Sequence, residues 1–222
     1  LITMTTDILH EQKILILDFG SQYTQNIARK VRESQVYCEI HPCTLPFDEI
    51  KAFNAKGIIL SGGPASVQEE DSPLCDRKLF ELEIPILGIC YGMQLITHIL
   101  GGKVTHSPHG EFGRAELVLK EFSHLFEEVK SNSIVWMSHG DRISKLPKGF
   151  KGIAFTDNSP MAAIEDPLAH IYGLQFHPEV VHTVEGTKIL NNFLFKICQC
   201  AKNWRMESLI EHMIKDIRDK VG

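Results

Sequence analysis

Four short, nearly unbroken apolar runs alternate with segments of helical spacing through the first hundred residues, and this alternation fixes the class of fold. Lys13 to Phe19 (KILILDF), Val36 to Ile40, Gly57 to Leu60 and Pro85 to Ile89 are each long enough for a strand and too short for a helix. Between them, Gln22 to Glu33 places Ile27, Ala28 and Val31 on one face, short helices are expected at Phe47 to Phe53 and Leu74 to Leu82, and Tyr91 to Leu100 repeats apolar residues at 93, 95, 96, 99 and 100. Gly101-Gly102 stops that last helix. Strands apolar on both faces and separated by helices are built as parallel βαβ units. The expected fold is α/β, a doubly wound and mostly parallel central sheet flanked by helices. Ligands of such sheets bind outside the carboxyl ends of the strands.

After Gly102 the pattern changes. Lys103 to Ser107, Glu116 to Leu119, Ile134 to Met137, Gly152 to Thr156, Met161 to Glu165 and Ile171 to Phe176 read as a small additional set of antiparallel or mixed strands. Thr183 to Cys200 returns to helical spacing, with Ile189, Leu190, Phe193, Leu194 and Ile197 on one face. Trp204 to Val221 reads as a second amphipathic helix, with Met206, Leu209, Ile210, Met213, Ile217 and Val221 in its stripe. The expected organisation is a disordered or vector-derived terminus over residues 1–12, a single domain over 13–202, and a helical appendage over 203–222.

Composition narrows the class of function. A formal net charge of −5 gives no basis for nucleic-acid or anionic-membrane binding. No apolar run approaches bilayer length, and the opening LITMTTD lacks the basic and apolar regions of a signal peptide. The six cysteines are scattered through a chain too large to need staples, so reduced thiols in a cytoplasmic protein are expected. Cys198-Gln-Cys200 lacks a second Cys or His pair at zinc spacing, so no metal site is expected.

The chemistry begins at Gly88-Ile-Cys90-Tyr-Gly92. A thiol between a strand and a helix, framed by glycines, has the setting of a strained nucleophile elbow. The positive end of the helix dipole favours thiolate there, and the first N–H groups of the helix are free to face an oxyanion. The competing reading is a buried structural cysteine in a glycine-rich turn. Phe176-His177-Pro178-Glu179 closes the last strand. It supplies a base together with a carboxylate two residues on that can fix the imidazole tautomer. Ser61-Gly62-Gly63-Pro64 follows the third strand and reads either as a plain turn or as a second oxyanion donor.

These three motifs, in this order, resemble the class I (triad) glutamine amidotransferases. Asp18-Phe-Gly-Ser-Gln-Tyr-Thr-Gln25, Trp136-Met-Ser-His-Gly-Asp141 and Gln175-Phe-His-Pro-Glu-Val-Val-His-Thr183 narrow the resemblance to the amidotransferase part of GMP synthetases. The resemblance implies that Cys90 attacks the side-chain amide of L-glutamine, His177 moves the protons and Glu179 orients His177. It implies backbone oxyanion donors at Gly63 and Tyr91. Substrate contacts are implied at Gly62, Gln94, Ser138, His139, Gly140 and Asp141, although Gln94 reads equally as a helix-surface residue and Asp141 as a turn former. It further implies no cofactor in this chain. ATP and Mg2+ are expected in an ATP pyrophosphatase (synthetase) domain supplied in cis or by a separate chain, and a homodimer is expected through the full-length enzyme. No Ser-Gly-Gly-Val-Asp-Ser phosphate loop occurs before Gly222, so the 204–221 helix is expected to lead into that domain. The alternatives are an amidotransferase serving another synthetase, such as anthranilate synthase, or a non-catalytic regulatory module of the same fold.

Overall fold

The computed structural model describes residues 12–204. The expected 1–12 terminus up to residue 11, and the expected helix 204–221 beyond Trp204, lie outside the described residues. Nine strands form one sheet: β1 (Lys13–Asp18), β2 (Tyr37–Pro42), β3 (Gly57–Leu60), β4 (Ile86–Ile89), β5 (Lys103–Leu119), β6 (Ser133–Lys145), β7 (Lys151–Phe155), β8 (Ala163–Asp166) and β9 (Ile171–Leu174). Their order is β2-β1-β3-β4-β9-β8-β7-β5-β6. The first five in that order are parallel, and the other four extend the sheet in antiparallel fashion.

The sheet is covered on both faces, which is why its central strands are apolar at every position. Ile14 and Ile16 of β1 enter one core with Ile27 and Val31 of helix α1 (Thr24–Glu33) and Phe193. Leu15 and Leu17 enter the other, with Ile50 of α2 (Phe47–Phe53) and Met93 and Ile96 of α3 (Tyr91–Ile99). β3 and β4 are buried throughout. β6 instead alternates, burying Val135, Met137, His139, Asp141 and Ile143 on one side, as a half-covered antiparallel strand does. Among the described residues no helix is long and apolar enough to cross a membrane.

Three local expectations are corrected. Leu74 to Leu82 forms only a 3-10 turn, Arg77–Glu81, capped by the Asp76 carboxylate accepting from Lys78 N–H at 2.9 Å. The separate strands at 103–107 and 116–119 are one strand, β5, bulged between His106 and Glu111 and paired with a longer β6. The 183–200 helix is α4 (Gly186–Asn191) running into a π turn, Asn192–Ile197. There the Asn192 side-chain amide donates to the carbonyls of Leu125 and Glu127 at 3.0 and 2.8 Å, tying that turn to the neighbouring loop.

Candidate active site

The carboxyl ends of β1, β3, β4 and β9 lie side by side, and the loops that follow them converge on a cleft of about 680 Å3. Cys90 follows β4 directly, and its N–H donates to Leu174 O of β9 at 2.7 Å. His177 follows shortly after the end of β9, so adjacent parallel strands deliver both side chains to one place. Cys90 has φ 52° and ψ −104°, a strained conformation outside the ordinary left-handed well. The glycine frame makes this turn possible. A Cβ on Gly88 would lie 2.6 Å from Gly92 O, and one on Gly92 would lie 2.4 Å from Leu60 O. Gly92→Ala is therefore expected to lower stability by about 1–3 kcal/mol. Gly101→Ala, whose Cβ meets nothing within 4 Å and which carries only a positive φ, is the milder control in thermal melts.

His177 is buried, and its Nδ1 pairs with Glu179 Oε1 at 2.7 Å. Glu179 is buried as well, and its Oε2 has no hydrogen-bond partner among the described residues, so the carboxylate acts mainly on the imidazole. Burial opposes an imidazolium, but hydrogen bonds to Cys90 and Glu179 and attraction to both outweigh it, and the His177 pKa is pushed up to about 10. The strand end is fixed from behind. His177 N–H donates to Trp136 O at 3.0 Å, and the Thr183 hydroxyl donates to His177 O at 2.6 Å while accepting from Trp136 N–H at 3.0 Å. The Tyr23 ring stands edge-on to the imidazole with centroids 5.1 Å apart.

Gly63 and Tyr91 both line the cleft. The Gly92 N–H is spent on Ser61 O at 3.1 Å, which leaves Tyr91, the first residue of α3, as the helix-terminal donor beside the thiol. A Cβ on Gly63 would lie 2.5 Å from Phe19 O, so that loop is pressed against the end of β1. Gly62 sits behind the pair rather than in the cleft wall: a Cβ there would lie 3.1 Å from His177 Cε1 and 3.6 Å from Cys90 Cβ. Ser138, His139, Gly140 and Asp141 line the cleft from β6, so Asp141 belongs to a strand and not to a turn. Its carboxylate accepts from Ser66 Oγ at 2.5 Å and meets His106 Nδ1 at 3.2 Å. Gln94 is buried, not on the helix surface, and its Nε2 donates to Asp141 O at 3.1 Å.

Tyr23, Ser66, His106, Thr183 and Gln175 also touch these residues, and none of them was assigned a role from the sequence. Gln175 carried a signal there: a lone amide in an otherwise apolar run just before the histidine, which a buried strand must pair with a partner.

A buried Cys–His–Glu array at the strand ends, beside helix-terminal amides, is equipped for acyl transfer through a thioester. The class I glutamine amidotransferase family model matches residues 15–197, and the chain belongs to that family. Within the family its similarity is to GMP synthases. It is 56% identical over 95% of its length to a glutamine-hydrolysing GMP synthase of Brachyspira hyodysenteriae, and 54% identical over 94% to one of Clostridium botulinum. The chain spans 41% of the length of each of these two relatives. Its fold also matches the crystal structure of a GMP synthase component from Thermoplasma acidophilum, with a TM-score of 0.78 and 32% identity over 86% of this chain and 95% of that one. A glutamine amidotransferase from Thermotoga maritima, 21% identical with a TM-score of 0.64 over 87% of each chain, shares the fold.

Proposed function

We propose that this chain hydrolyses the side-chain amide of L-glutamine through Cys90, His177 and Glu179. The observation that carries the reading is the placement of His177 in one cleft with Cys90, both side chains crowding Gly62, while Glu179 holds the far side of the ring at 2.7 Å. Cys90 Sγ adds to the amide carbon, and the resulting oxyanion is met by the N–H groups of Gly63 and Tyr91. His177 delivers a proton to the departing nitrogen, ammonia leaves, and a γ-glutamyl thioester remains. Water then attacks the thioester while His177 takes its proton, releasing glutamate and the thiolate. Glu179 holds the ring in register and stabilises its charged form throughout. Gln94 and β6 from Ser138 to Asp141 form the wall against which the amino-acid end of glutamine rests, and Gly62, lacking a Cβ, leaves room for His177 and Cys90 from behind.

The ammonia goes to an ATP pyrophosphatase domain, in cis or on a separate chain, where ATP and Mg2+ bind and XMP is aminated to GMP. The similarity to GMP synthases more than twice this chain's length supports that destination. The assembled enzyme is read as a cytoplasmic homodimer. Glutamate release from residues 1–222 alone is expected to be weak, and to rise when the pyrophosphatase domain, XMP and ATP are added together. Equal rates with and without the loaded partner would refute the coupling while leaving glutamine hydrolysis in place.

A further inference from the structure

Beneath the floor of the cleft, Gln175 connects the glutamine-binding wall to the nucleophile. It is fully buried, and its backbone is locked to the sheet by N–H donation to Ala162 O at 2.8 Å. Its side-chain orientation follows from its neighbours. Asp141 O is a carbonyl and can only accept, so the Gln94 group facing it at 3.1 Å is the NH2. The same NH2 faces Gln175 at 3.3 Å, which makes that atom Oε1. The Gln175 NH2 is thereby turned toward Cys90 Sγ, 3.8 Å away. The far end is anchored too. His139 Nδ1 donates to Asp141 O at 2.8 Å, and the Glu111 carboxylate lies 3.4 Å from His139 Nε2 while accepting from Thr156 Oγ1 at 2.9 Å.

We infer that Gln175 is a further catalytic residue: its amide donates to the sulfur when Cys90 is a thiolate and, through Gln94, ties the grip on glutamine to the position of the nucleophile. The inference rests on the reading of Cys90 as nucleophile. An amide NH2 can donate to sulfur and cannot accept from it, so it favours thiolate over thiol. The Ser138 carbonyl, 3.6 Å from Sγ on the β6 side, is the opposing group and accepts from the thiol form. His177, backed by Glu179, shares the cleft with Cys90; α3 contributes the Tyr91 N–H, and Gly62 of the β3 loop abuts both, an added Cβ there lying 3.6 Å from Cys90 Cβ.

The test uses Gln175→Leu, with Gln175→Met as a second variant of similar length in case leucine does not fold. Two readouts are the rate of Cys90 alkylation by iodoacetamide, located by mass mapping, and glutaminase kinetics. Near neutral pH the alkylation rate of either variant is expected to fall roughly five- to tenfold, and the deficit to close in alkaline buffer, where the thiolate forms without help. kcat falls with it, and KM rises because Gln94 loses a partner. A merely structural role would lower activity without this pH-dependent alkylation deficit. Parent-like alkylation at neutral pH in folded Gln175→Leu or Gln175→Met, with Cys90→Ala inactive, overturns the Gln175 role and leaves the nucleophile standing. Retained activity in Cys90→Ala overturns both.

Discussion

Replacing Cys90 by alanine is expected to lower glutamine hydrolysis by on the order of a thousandfold or more, while the folded chain persists. No other cysteine can substitute. Cys38, Cys43, Cys75, Cys198 and Cys200 are buried, do not line the cleft, and have thiols pushed up by burial. Cys75, for example, is raised to about 12. The strained backbone at Cys90 adds a signature that a structural cysteine would lack. Cys90→Gly removes the Cβ from a positive-φ residue, and should be as inactive as Cys90→Ala yet more stable than it by about 1 kcal/mol or more. Melting temperatures and glutamate release on the same preparations check both halves. A Cys90→Gly variant less stable than Cys90→Ala would mean that the turn is not strained as its dihedrals indicate.

The second large effect separates His177 from Glu179. On the proposed reading His177→Ala removes the group that moves the protons, and it should approach the loss expected for Cys90→Ala. Glu179→Ala leaves the base but removes the carboxylate that fixes its tautomer and charge, so it should retain roughly tenfold more activity. The sign of the pH effect follows from the raised His177 pKa. A group whose folded value lies above its unfolded value contributes stability that is fully present below the unfolded value and fades as pH rises through about 10. Removing Glu179 takes away one of the two partners that hold the value up. The alkaline limb of the rate profile should therefore move to lower pH in Glu179→Ala. Equal losses in both variants, with an unmoved alkaline limb, would reduce Glu179 to a brace for the strand end.

Much of this site was legible because its parts are local. Gly88, Cys90 and Gly92 lie within one turn, and His177 and Glu179 are two residues apart, so short-range sterics and chemistry announce them. What brings the two motifs together is long-range. Cys90 and Gln175 touch across 85 positions of sequence, and no local pattern foretells it; the adjacency comes from the pairing of Ile89 in β4 with Leu174 in β9. Asp141 was open to a turn reading because Gly140-Asp141 has turn chemistry, but the ladder with β5 holds it in strand. Likewise β5 passes through Gly110 and Gly113, which interrupt any apolar pattern, and is kept extended by β6. The 74–82 segment has helical spacing yet is confined between Pro73 and Pro85, and only one 3-10 turn forms. Tyr23 and Gln175 carry no local motif because what brings them to the site is their contact with His177 and Cys90, set by tertiary packing.

The central claim is that one thiol, Cys90, forms a covalent bond to the glutamine side chain. The direct measurement is mass mapping of the chain after treatment with a glutamine-mimicking diazo-ketone amino acid, with glutamine itself as competitor. The expected result is a single adduct on the peptide carrying Cys90, suppressed by glutamine and absent from Cys90→Ala. An adduct on any of the other five cysteines that tracks the loss of activity, or inactivation without modification of Cys90, would contradict it.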